Sequence, residues 1–65
     1  MKQPEEIMTV DDVAAYLHVH PSTVYKMMKH KQLPGFRIGA DWRFHRANIL
    51  GWIKRKEEAA IVKSN

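Results

Sequence analysis

The chain has no cysteine, only three glycines and three prolines, seven acidic residues against eleven Lys and Arg, and no long apolar run. Without thiols there is no disulfide framework, no thiolate zinc site and no thiol nucleophile, so the small core is unstapled, as suits a reducing cytoplasm. Charges interrupt every apolar stretch, which excludes both the apolar centre of a signal peptide and the roughly 18 consecutive apolar residues of a membrane span. Gly35, Gly39 and Gly51 are too scattered to build a phosphate-cradling loop and fit turns and packing instead. His18, His20, His30 and His45 lack the i, i+4 spacing of a helical zinc pair and have no carboxylate cluster beside them. The expectation is therefore no metal, no cofactor and no enzyme. At 65 residues the chain is one domain that buries only about 60% of its unfolded surface, too little to enclose a deep substrate pocket.

Charge is present and unevenly placed. Residues 1–24 set Lys2 against Glu5, Glu6, Asp11 and Asp12, whereas residues 25–56 set nine cations against Asp41 alone. The formal charge of +4 thus averages an acidic start and a basic middle. One positive face is the footprint of a polyanion binder, although an ordinary solvated lysine surface gives the same count.

The apolar pattern divides the chain into short elements. Thr9 is placed to cap a first helix, with Asp11 and Asp12 against its positive end and Met8 and Val13 at the staple positions. Val10, Val13, Ala14 and Leu17 make one apolar stripe. A break over His18 to His20 precedes Pro21, whose fixed φ suits a helix start, and Val24, Met27 and Met28 form a second stripe opposite a polar, basic face. From Phe36 to Phe44 the period changes to two around a turn-forming Gly39-Ala40-Asp41, which predicts a hairpin. In this reading Phe36, Ile38, Trp42 and Phe44 point inward, and Arg37 and Arg43 share the opposite face, where like charges invite an anion. A last helix from about Arg46 carries Ile49, Trp52, Ile53 and Ala60 on one stripe, with Gly51 marking a close packing contact. The predicted fold is mainly α with a small β-hairpin. Its organisation is an arm over 1–8, a domain over 9–60 and a tail over 61–65, where Ile61 and Val62 are frayed or meet a partner.

Two short helices joined by a tight turn, the second with a basic face, form the pattern of a helix-turn-helix. The stretches MTVDDVAAYLHVHPSTVYKMMKHKQLP, FRIGADWRF and HRANILGWI resemble the excisionase family, small winged helix-turn-helix DNA-binding domains related to MerR-like regulators. The helix-turn-helix residue mask is met by Val13, Ala14, Leu17, Val19, Val24 and Met27. It is broken at His18, where the family usually has Gly, and a left-handed turn that His tolerates is expected there. The resemblance implies a second helix in the major groove, with DNA contacts from His20, Ser22, Thr23, Lys26 and Lys29 and with Tyr25 near the backbone. Ser22 and Thr23, at the helix start, can grip a phosphate or reach a base edge, and Lys26 can donate to guanine N7 and O6. The hairpin would be the wing, with Arg37 and Arg43 positioned on phosphates and Asp41 at a tip where phosphate is repelled.

These readings converge on a cytoplasmic, nucleoid-associated protein that binds double-stranded DNA in a sequence-specific way. It would serve as a transcriptional regulator or an excisionase-type recombination directionality factor. It is expected as a monomer in solution, cooperative on DNA, with an integrase or other regulatory protein as a further partner and no membrane. The rival is an adaptor that uses the same fold to dock an acidic protein.

Overall fold

A computed structural model describes residues 6–64, with side chains described through Ile61; most of the expected arm, residues 1–5, lies outside the described residues. The order is strand β1 (Ile7–Met8), helix α1 (Val10–Leu17), helix α2 (Pro21–Lys29), strands β2 (Phe36–Ile38) and β3 (Asp41–His45), and helix α3 (Arg46–Ser64). The antiparallel sheet runs β1-β3-β2, so Ile7–Met8 joins the hairpin as a third strand. The mainly α architecture with a hairpin wing is as expected from the sequence, with this strand added.

Local chemistry explains the helix limits. Thr9 accepts from the Asp12 amide at 3.1 Å while the Asp12 carboxylate accepts from the Thr9 amide at 3.0 Å, a reciprocal capping box that satisfies two otherwise orphaned donors. Both α1 and α2 then end in the same left-handed turn. Val19 and His18 donate back to Ala14 and Ala15 in the first, and Gln32 and Lys31 to Met27 and Met28 in the second. Such double back-bonding places one residue at positive φ, a position that favours glycine. Here His18 has φ 59° and Lys31 has φ 55°. The expected left-handed His18 is thus observed, and Lys31 repeats it.

The core forms where α1, α2, β3 and the start of α3 meet: Val13, Val24, Phe44 and Ile49 are fully buried, joined by Met8, Val10, Ala14, Met28 and Leu33. A Cβ at Gly35 would lie 2.7 Å from the Phe44 ring and 2.9 Å from the Met28 methyl, so the chain entering β2 can press this close only without a side chain. Trp52 Nε1 donates to the Gln32 carbonyl at 2.8 Å and ties α3 to the end of α2.

Four expectations are corrected. The hairpin turn contains two residues, Gly39 (φ 64°) and Ala40, and pairs Ile38 with Asp41, Arg37 with Trp42 and Phe36 with Arg43. A turn centred on Ala40 would instead have paired Ile38 with Trp42. Since strand side chains alternate, this one-residue difference moves all of β2 to the other face. Phe36 and Ile38 consequently face outward and are exposed, and Arg37 and Arg43 lie on opposite faces rather than side by side. Their mutual repulsion therefore cannot argue for an anion. A Cβ added at Gly51 would meet, among the described residues, only the Arg55 guanidinium at 3.7 Å, so no close packing contact requires this glycine. The α3 stripe packs only through Ile49, Trp52 and Ile53, and Ala60 is exposed. Val19, which meets the helix-turn-helix mask, is exposed in the turn.

Candidate nucleic-acid interface

Helix α2 is divided lengthwise. Val24 and Met28 are buried and Met27 is half-buried, which fixes the rotation of the helix. The opposite side presents Ser22, Tyr25, Lys26 and Lys29, all exposed and within one helical stripe. His20 is exposed at the cap and Thr23 is half-buried beside the stripe. Among the described residues Lys26 and Lys29 have no acidic partner, so both ammonium groups are available to a ligand.

The helix start is held by an unusual capping residue. His20 has extended backbone (φ −72°, ψ 146°), as the following proline favours, and its ring Nδ1 accepts from the Ser22 amide at 3.1 Å. The Ser22 hydroxyl lies 2.9 Å from the same nitrogen. His is not among the preferred capping types, so its side chain acts here as a cap that residue type alone does not announce. An imidazole that accepts at Nδ1 carries its hydrogen on Nε2, which then points away from the cap as a donor.

The hairpin sets Trp42 beside α2 with a cleft on either side of it. On one side a cleft of about 290 Å³ lies between Tyr25, the start of α1 at Thr9 and Asp11, and the wing tip with Asp41. Arg43 lines it too, half-buried and engaged: its guanidinium donates to the Trp42 carbonyl at 2.7 Å and lies 3.9 Å from the Asp41 carboxylate. On the other side a cleft of about 500 Å³ has Met28, Leu33, Pro34 and Trp42 as its floor and Lys29 and Lys31 at its rim. Arg37 stacks over the Trp42 ring at 5.2 Å, a cation–π contact. One tryptophan thus separates an acid-containing cleft from a purely cationic one.

A helix-turn-helix domain model matches residues 7–57. The chain belongs to the helix-turn-helix domain family. Two Mycobacterium tuberculosis proteins, from strains CDC 1551 and H37Rv, are each 38% identical to it over 40 residues, which is 62% of this chain and 51% of theirs. Both carry the provisional name of DNA-binding protein. The chain spans about half the length of the curated relatives it matches. No solved structure gives a significant match.

Within the helix-turn-helix, α1 and α2 are the paired helices and α2 is the second. Its expected contact residues Ser22, Tyr25, Lys26 and Lys29 come together on one surface, with His20 and Thr23 at the N-terminal end. The two wing arginines do not join them equally. Arg37 lies over the Trp42 ring and lines neither cleft, whereas Arg43 lines the one that contains Asp41. Sequence reasoning overlooked Lys31. The sequence pointed to Leu33, Pro34 and Gly35 as the end of this helix, but α2 stops at Lys29 with its cap at His30, and with no glycine there Lys31 takes the left-handed position. Among the described residues no three His or acidic side chains converge as metal ligands, and no helix is long and apolar enough to cross a membrane.

Proposed function

We propose that this chain binds double-stranded DNA with sequence preference, α2 lying in the major groove. In this reading it serves as a small transcriptional regulator or an excisionase-type recombination directionality factor, akin to the MerR-like winged domains its sequence resembles. The observation that carries the proposal is the exposed stripe Ser22, Tyr25, Lys26 and Lys29, backed by buried Val24 and Met28, which presents two ammonium groups and a hydroxyl on one face. Lys26 reads a guanine edge. Ser22, Thr23 and the His20 Nε2–H hold a phosphate at the helix start, with Tyr25 against the backbone. The cationic cleft takes the sugar–phosphate strand between Lys29, Lys31 and Arg37, and Arg43, partly neutralised by Asp41, contributes less. The binding module is the domain over 9–60 with β1 added at its start.

The experiment is a titration of the chain with duplexes selected from a random pool and with unselected DNA, by anisotropy, over a range of salt. About five to eight phosphate contacts give a slope of log K on log salt of about −5 to −7. Lys26→Ala lowers affinity for the selected site by about 1–3 kcal/mol and narrows its advantage over random DNA. Arg37→Ala weakens both alike and flattens the slope by about 1. Equal losses on both DNAs for Lys26→Ala would remove the base-reading role. Absence of duplex binding at low salt would transfer the basic face to an acidic protein partner.

A further inference from the structure

We propose that the outer face of α3 is a dimer contact, formed antiparallel against α3 of a second copy. The helix runs 19 residues, about 28 Å at its standard rise, yet its last core-packed residue is Ile53. From Lys54 to Ile61 every side chain is exposed. A segment of this length is marginal as an isolated helix in water, so a covering surface would stabilise it.

The identity of the cover follows from the order of residues on one stripe. Leu50, Lys54, Glu57 and Ile61 fall within about 60° of one another at 100° per residue, and this stripe lies away from the face that buries Ile49. Leu50 is 37% and Ile61 65% exposed. Read in sequence the stripe is apolar, cationic, anionic, apolar, and its reverse complements it. A two-fold axis midway between residues 55 and 56 sets Lys54 against Glu57 of the second copy and Leu50 against Ile61 of the second copy, each pair occurring twice. That is the self-complementarity an isologous contact requires.

A second observation meets this arrangement from the other end. Beside Leu50 is a hollow of about 460 Å³, lined also by Glu6, His45, Arg46 and Ala47. An antiparallel second helix delivers its Ile61 to Leu50, at the mouth of this hollow. The contact is short, below the roughly 1,200 Å² of stable interfaces, so the dimer is weak and is favoured where copies are held close together. The sequence alone led instead to the expectation of a monomer.

Sedimentation equilibrium of the full chain without DNA, from about 10 µM to about 1 mM, tests the proposal independently of any DNA binding. The expected result is a monomer–dimer equilibrium. Lys54→Glu and Glu57→Lys each turn two attractive pairs into repulsive ones and weaken it by about tenfold. The double exchange K54E/E57K restores it, and Leu50→Asp abolishes it. Circular dichroism of each variant verifies that the helix is kept. A monomer throughout, single reversals without effect, or a double exchange that fails to rescue would each overturn the proposal.

Discussion

At the scale of single residues, the molecule repeatedly places a functional-looking side chain where a purely structural choice would be better. Lys31 occupies the left-handed position that ends α2, with φ 55°, at the rim of the cationic cleft. A side chain there costs about 1–2 kcal/mol in backbone strain, part of which glycine would recover. Lys31→Gly is therefore expected to raise stability by about 0.5–1 kcal/mol, which is a few degrees in a domain of this size. The same change removes one cation from the proposed phosphate cleft and weakens binding to all duplexes. Thermal melts and anisotropy on one protein sample would show both effects. Unchanged DNA affinity would exclude Lys31 from the interface. His18 holds the equivalent position after α1, and there the sequence was sufficient: a missing glycine in a recognisable helix-turn-helix announces its own left-handed residue. No such pattern marked Lys31.

At the scale of elements, the helices were legible and the faces of the hairpin were not. Helix α1 declares itself through Thr9, Asp12 and a three-to-four residue apolar spacing, all local signals. The exposed stripe on α2 follows in the same way once Val24 and Met28 are assigned to the core. The hairpin depends on a turn length that alternation alone leaves open, since Gly39-Ala40 and Gly39-Ala40-Asp41 both make acceptable loops. The choice decides whether Phe36 and Ile38 are core or surface. Strand β1 is two residues long, too short for any period to be read. For α3, Ile49 to Ile53 carries the packing and the remainder does not. Ending the chain after Glu57 is accordingly expected to change stability by less than about 0.5 kcal/mol, since the described side chains it removes, Glu58 to Ile61, are exposed. Chemical denaturation measures this, and a larger loss would mean that the distal half of α3 braces the fold.

At the scale of the whole molecule, uneven charge becomes a geometric property. The acidic residues Asp11 and Asp41 flank the cleft on one side of Trp42, and Lys29 and Lys31 rim the cleft on the other. A polyanion approaching the wing meets opposite fields across a single indole, and this sets the side on which a strand would lie. The sequence registered the aspartate at the tip, but not that it retains Arg43 beside it.

The pairing of Ile7 with His45 has a consequence in time as well as in space. Capping, the turn between α1 and α2, and the hairpin all join residues close in sequence, whereas β1 must find β3 across most of the domain. Closing that long loop is entropically costly and yields a strand of only two residues, so it is expected to form late and open early. Native-state hydrogen exchange should then find the Met8 amide exchanging before those of Val24 and Met28 within α2. Equal protection at all three sites would show that the domain opens as one cooperative unit.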